Sequence, residues 1–265
     1  MNIPTYRLAS GHEMPLLGLG TWELRGRHCV DAVRKALELG YTHIDTADAY
    51  RNHAEIAQAL KAFDRSRIFI TSKVPPEMLR YEDLLRTCDR NLRELQTDYL
   101  DLYLIHWPNR RLPLKDTLRA FKELVESGKA RSVGVSNFRI PDLKEALQAS
   151  DVPISNNQVE LHPLLNEKEL LDFCRGNGIS VTSYCPLARG RALRNKVIAA
   201  VAQKCAKTPA QVALRWLLQK GTIVIPKAGS EAHLSENTDI FDWEIAAEDE
   251  AEIDAIGERH RVVNL

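Results

Sequence analysis

No stretch of this chain approaches the ~20 consecutive apolar residues that a membrane-spanning helix requires, so a helical membrane protein is excluded. Charge of one sign is missing too. Lys plus Arg number 36 and Asp plus Glu number 36, a balance that draws the protein neither to nucleic acid nor to an anionic membrane surface. The five cysteines, at positions 29, 88, 174, 185 and 205, are odd in number and never form a C-x-x-C pair. No zinc site or other metal centre is implied, and free thiols in a reducing cytoplasm are expected. The opening residues carry no apolar segment of a secretory leader, so none is expected. A complete dinucleotide fingerprint is also wanting, since Gly18-Leu-Gly20 runs on into Thr21-Trp22-Glu23 and lacks the third glycine.

What is present is a regular alternation. The stretch Leu100 to Ile105 is an apolar run with the length of a strand buried on both faces, and Pro108 ends it just after His106. Before it come a hairpin around Ser10-Gly11-His12-Glu13, then strands at Leu17–Trp22, Thr42–Thr46 and Ile68–Lys73. After it come strands at Ser132–Ser136, Asn156–Glu160, Ile179–Tyr184 and Ile223–Pro226. Apolar residues at helical spacing fill the gaps, as at Val30, Val33, Ala36 and Leu37 ahead of the stop Gly40. Thr208-Pro209-Ala210-Gln211 combines an N-cap, a proline at N1 and a capping-box glutamine, and Val197 to Val201 adds a helix before it. Eight strand-plus-helix units within 265 residues favour a (β/α)8 TIM barrel, one α/β domain over 1–265 with an N-terminal β-hairpin and extra helices.

In such a barrel the active site forms at the carboxyl ends of the strands. Asp45, Tyr50, Lys73 and His106 all fall at or just past those ends on three adjacent strands. Each alone reads as an ordinary turn, surface or capping residue. Together they make an acid–base set: a phenol of reference pKa ~10, an ammonium to lower it, a carboxylate to hold the ammonium, and an imidazole for a carbonyl oxygen. That set would protonate a carbonyl oxygen while a hydride, which must come from a cofactor, arrives at carbon.

The motifs Gly18-Leu-Gly-Thr-Trp22, Ile44-Asp-Thr-Ala-Asp-Ala-Tyr50, Thr71-Ser-Lys73, Leu104-Ile-His-Trp-Pro108, Gly134-Val-Ser-Asn-Phe138, Asn157-Gln-Val-Glu160, Ser183-Tyr-Cys-Pro-Leu187 and Ile225-Pro-Lys227 stand in an order that resembles the aldo-keto reductase superfamily over nearly the whole chain. The likeness is nearest to short bacterial members similar to 2,5-diketo-gluconate and methylglyoxal reductases. It implies that Tyr50 is the proton donor, that Lys73 and Asp45 tune it, and that His106 orients the carbonyl. It implies further that Ser136, Asn137 and Gln158 hold the nicotinamide carboxamide and that Tyr184 stacks under the ring. Gly20, Thr21, Trp22, Asp45, Pro186 and Leu187 would complete the coenzyme cleft, with Lys227 and Ser230 at the phosphates and Glu236 and Asn237 at the adenine. Two departures bear on the coenzyme: Ala228 stands where relatives often have serine, and His233 where they have the arginine that clamps the 2′-phosphate. Cys185 replaces the family's serine after the stacking tyrosine. NADPH is the expected coenzyme, with NADH as the alternative.

Trp22, Trp107, Tyr50 and His106 would wall the substrate pocket. The ending Arg259-His-Arg-Val-Val-Asn-Leu265 is shorter than the substrate-covering tails of many relatives, so an open site is expected, suited to small α-ketoaldehydes and keto sugars. The expected activity is reduction of aldehydes and ketones, formally an alcohol dehydrogenase reaction on CH–OH donors with NADP+, carried out by a cytoplasmic monomer with no nucleic-acid or membrane partner. Two rival readings stand beside it: a Schiff-base aldolase using Lys73, and a nucleotide-binding barrel that regulates another protein.

Overall fold

The computed structural model describes residues 3–257 and 259–263. A two-stranded antiparallel hairpin, β1 (Thr5–Arg7) and β2 (Glu13–Pro15), precedes eight parallel strands. These are β3 (Leu19–Gly20), β4 (His43–Asp45), β5 (Phe69–Val74), β6 (Leu102–Ile105), β7 (Val133–Ser136), β8 (Ile154–Glu160), β9 (Ser180–Tyr184) and β10 (Ile223–Val224), each paired with the next in sequence. The ring closes where β3 meets β10: Val224 N–H donates to Leu16 O at 2.9 Å, and Gly18 N–H donates to Val224 O at 2.9 Å. Gly20 lies on this seam, and a Cβ there would stand 2.6 Å from Ile225 O, so only glycine allows the approach. The chain therefore forms the expected (β/α)8 barrel with an N-terminal hairpin. The first and last strands are shorter than the Leu17–Trp22 and Ile223–Pro226 runs suggest, because only Leu19–Gly20 and Ile223–Val224 meet their neighbours in the ladder.

The helices α1 (Gly26–Glu38), α2 (His53–Leu60), α3 (Tyr81–Leu95), α4 (Leu114–Glu126), α5 (Ile140–Ala149) and α6 (Lys168–Gly176) each follow a strand and turn one apolar face onto the sheet. The later part of the chain holds the additional α7 (Lys196–Cys205), then α8 (Pro209–Gln219), α9 (Glu231–Glu236) and α10 (Ala247–Asp254). Local chemistry explains several boundaries. Gly40, at φ +94°, follows α1, and the Thr208–Gln211 capping box opens α8. One apolar cluster lies between sheet and helices. A separate one joins Leu8 and Met14 of the hairpin region to Phe69, Leu102, Leu104 and Ile223, filling the amino end of the barrel. The opposite rim, where the strands end, is left for polar residues.

Candidate active site

The register of the sheet puts the chemistry on one rim. Gly20 pairs with Asp45, Asp45 with Thr71, Lys73 with Leu104, and Ser136 with Gln158. Lys73 is wholly buried; its Nζ donates to Asp45 Oδ1 at 2.6 Å and to Thr46 O at 2.8 Å. The second carboxylate oxygen of Asp45 accepts from Gln158 Nε2 at 2.7 Å. Burial pushes the Lys73 amine down and the Asp45 carboxyl up from their usual ranges, each opposed by attraction to the other. Such a pair holds its geometry because neither charge has water to turn to.

Tyr50 ends the short 3-10 turn Asp48–Tyr50, which Arg51 leaves in the left-handed region at φ +53°. Its ring stands 75° to that of His106 with centroids 5.7 Å apart, and Lys73 Nζ lies 5.1 Å from its centroid. The phenol is pushed well up rather than down as the residue types alone suggested. Burial dominates, and the Asp45 charge adds to it. The Lys73 ammonium is directed to Asp45 and Thr46 O instead. Among the described residues the Tyr50 hydroxyl has no protein hydrogen-bond partner, which leaves a protonated phenol facing the cavity. His106 is pushed down to about 3, by burial first and by Lys73 second, so its imidazole is neutral across the physiological range.

A cavity of about 300 Å³ joins Asp45, Tyr50 and His106 to Gly20, Thr21, Trp22, Trp107, Ser136, Asn137, Gln158, Tyr184 and Lys227, all expected from the sequence, and to Ala49, Cys185, Arg189, Ile225 and Val263, which the sequence does not mark as lining. Thr21 lies on its floor, N–H and Oγ1 both donating to Asp45 O. Asn137, at φ +64°, donates to His106 O at 3.0 Å and accepts from Tyr184 Oη at 2.8 Å. Ser136 Oγ donates to Gln158 O at 2.7 Å.

Arg189 stacks over Trp22 with its guanidinium carbon 4.7 Å from the ring, and Lys227 pairs with Glu23 at 3.1 Å. Pro186 and Leu187 lie in the loop after β9 but not on the cavity wall. Ser230, His233, Glu236 and Asn237 belong to α9 and its caps, outside the cavity. Ser230 Oγ accepts from His233 N–H, His233 is exposed, and Asn237 is buried beside Tyr41.

The tail, although short, reaches the mouth. Val262 and Val263 N–H donate to the two carboxylate oxygens of Glu160 at 2.6 and 3.0 Å, while His162 Nε2 lies 3.1 Å from the first. Arg259 and Arg261 reach Glu167. Val263 consequently forms part of the cavity wall, and with Trp107 and Asn137 it also lines a second groove of about 710 Å³. Nothing in the motifs pointed to this clasp, because its partners lie about a hundred residues apart. Arg110 pairs with Asp142 at 3.2 Å in solvent and does not face the cavity. Among the described residues no group of His, Cys, Asp or Glu is arranged to hold a metal ion, and no helix is long and apolar enough to cross a membrane.

A sequence profile of the Aldo/keto reductase family matches residues 16–258. Glyoxal reductase of Bacillus subtilis is 44% identical over 261 residues, 97% of this chain and 94% of that protein. The 9,11-endoperoxide prostaglandin H2 reductase of Trypanosoma cruzi is 38% identical, over 94% and 90% of the two chains. Among solved structures, the aldo-keto reductase MGS-M4 from a deep-sea metagenome library superposes with a TM-score of 0.94 at 37% identity, covering 98% and 97%. An aldo-keto reductase solved in complex with NADPH gives a TM-score of 0.94 at 32% identity, covering 99% and 90%.

Proposed function

The chain belongs to the aldo/keto reductase family, and from that premise we propose that it is an NADPH-dependent reductase of small aldehydes and α-ketoaldehydes in which Tyr50 is the proton donor. The observation that carries the reading is that Asp45, Tyr50 and His106 line one cavity, with buried Lys73 bound to Asp45 behind the Tyr50 ring. The remaining wall fits a nicotinamide coenzyme. Ser136, Asn137 and Gln158 offer the donors and acceptors that a carboxamide needs, the Tyr184 ring offers a flat apolar face, and exposed Lys227 and Arg189 offer cations for phosphates. When bound, the coenzyme supplies the hydride that reaches the carbonyl carbon.

The residues of the chain do the rest. Neutral His106 donates a ring N–H to the carbonyl oxygen and orients it toward Tyr50. The phenol gives its proton to that oxygen as charge develops there, so that one hydride and one proton convert the carbonyl into an alcohol. Lys73, held by Asp45, stabilises the phenolate left behind, and solvent returns the proton. Trp22, Trp107 and Val263 bound a space suited to short aldehydes, and glyoxal reductase is among the similar proteins. A single barrel unit over 1–265, acting as a monomer in the cytoplasm, is the form we propose. The aldolase alternative is disfavoured by Lys73 itself, whose amine is buried and bound to two acceptors rather than presented to a substrate.

The test is a carbonyl panel with each coenzyme. Multiple turnovers of NADPH with methylglyoxal or glyoxal are expected. No coenzyme oxidation with any aldehyde, or covalent trapping of Lys73 by borohydride with substrate, overturns the reading.

A further inference from the structure

Behind the tetrad, on the helix side of the sheet, lies a chain of polar contacts that the reaction does not use directly. Asp48 opens the turn that ends on Tyr50, and its Oδ1 accepts from Arg90 Nη2 on α3 at 2.6 Å. With the Asn91 amide oriented to satisfy its neighbours, its nitrogen donates to the same oxygen at 2.6 Å. Arg90 Nε also lies 3.8 Å from Glu94 Oε1, one turn along α3. The other oxygen of Glu94 is 3.1 Å from His53 Nδ1, and His53 Nε2 is 3.1 Å from Ser72 Oγ. Ser72 immediately precedes Lys73 in β5. The turn bearing Tyr50 is therefore held at Asp48 by α3, and His53, three residues beyond Tyr50, links Glu94 of the same helix to the strand bearing Lys73.

Glu94, His53 and Ser72 have the connectivity of a hydrolytic triad, but Ser72 is fully buried and out of reach of any substrate. A positional role fits better. His53 is 1% exposed, burial pushes its imidazole down against the pull of Glu94, and its two ring nitrogens face Glu94 and Ser72. A second brace comes from inside: Asn52 accepts from Thr46 Oγ1 at 2.7 Å and donates to Thr21 O and Leu24 O. Thr46 O is the carbonyl that Lys73 binds.

We propose that Asp48, Arg90, Glu94 and His53 form an external bracket that sets the position of Tyr50 relative to Lys73, and that Arg90, which touches both acids, closes it. They are positioning residues, acting on the phenol through the backbone of the Asp48–Tyr50 turn. This inference rests on the reading of Tyr50 as proton donor, and the test separates the two.

Arg90→Met keeps the stem and removes the fork, Arg90→Lys restores one charge but not a shared fork, and Asp48→Asn keeps the Asn91 contact while removing the ion pair. Each is compared with the parent in turnover, in KM for methylglyoxal and in NADPH dissociation constant. Arg90→Met is expected to lower kcat about ten-fold, since sub-ångström misplacement of a reacting group is costly, with KM and NADPH binding changed less than about two-fold. Asp48→Asn should do the same to a lesser degree, and Arg90→Lys should recover part of the loss. In a Tyr50→Phe background, Arg90→Met should change the residual rate by less than about two-fold, because the group being positioned is gone. An unchanged kcat in both Arg90→Met and Asp48→Asn overturns the bracket. So does an equal loss with and without the Tyr50 hydroxyl, or a loss of NADPH binding that matches the loss of kcat. Near parental turnover in Tyr50→Phe alone would instead overturn the reading of the donor.

Discussion

Lys73 and Lys227 both stand at or beyond the end of a barrel strand, and burial makes them different instruments. Lys73 is fully enclosed at 2.6 Å from Asp45, while Lys227 is 45% exposed at 3.1 Å from Glu23. Inside the barrel the low polarity makes each partner indispensable to the other, so the geometry is rigid. On the rim, water competes for every ionic contact, so a side chain there adjusts to what binds and individual pairs contribute little. The proposed acid–base chemistry occupies the rigid part, and the proposed coenzyme selectivity the adjustable one.

That contrast is broken most directly at Tyr50. Removing the hydroxyl in Tyr50→Phe should lower turnover by roughly two to four decades, the range of general acid catalysis, with NADPH binding nearly unchanged. Steady-state rates and a coenzyme titration check it. The two lysine pairs come next. Asp45→Asn strands the Lys73 ammonium and should lower stability by about 3–5 kcal/mol, whereas Glu23→Gln should stay within about 1 kcal/mol. Urea unfolding of both variants measures the difference, and equal losses would remove the distinction between the regions.

Acid sharpens it further. His106 and His43 are both pushed down to about 3 by burial, with Lys73 adding to each. The unfolded chain therefore takes up protons below about pH 6.5 that the folded chain refuses. Stability from these residues is complete above pH 6.5 and is lost as pH falls toward about 3, with a limiting slope of about 1.4 kcal/mol per pH unit for each histidine. Unfolding midpoints between pH 7 and 5.5 should show the decline, and His106→Asn should remove one residue's share of it. The smallest effect belongs to the rim. His233→Arg should tighten NADPH about five-fold at this exposed place and leave NADH almost untouched, as dissociation constants for the two coenzymes would show. An equal change for both would mean that position 233 does not meet the 2′-phosphate.

Periodicity and punctuation made most of the barrel readable in advance. The Leu102–Ile105 strand, the stop at Gly40 and the capping box at Thr208 all depend on neighbours in the chain, and they stand where local chemistry puts them. Asp45, Tyr50, Lys73 and His106 were legible for the same reason, since each terminates or follows a recognisable strand. Arg189 was not, because its surroundings include Trp22, 167 positions away in the chain, and no local pattern marks such a meeting. Residue types alone point the Tyr50 phenol downward, whereas enclosure outweighs a nearby cation that is already engaged by Asp45 and pushes it up.

The order of strands and helices, the rim on which the polar groups fall and the family resemblance follow from residues within a few turns of one another. Ring closure decided the remainder. It brought Gln158 to Asp45 across 113 positions, seated Val262 and Val263 on Glu160, and enclosed Lys73 completely. A local stretch sets backbone geometry and the direction of its side chains, but desolvation and long-range hydrogen bonds depend on what the rest of the chain packs against them.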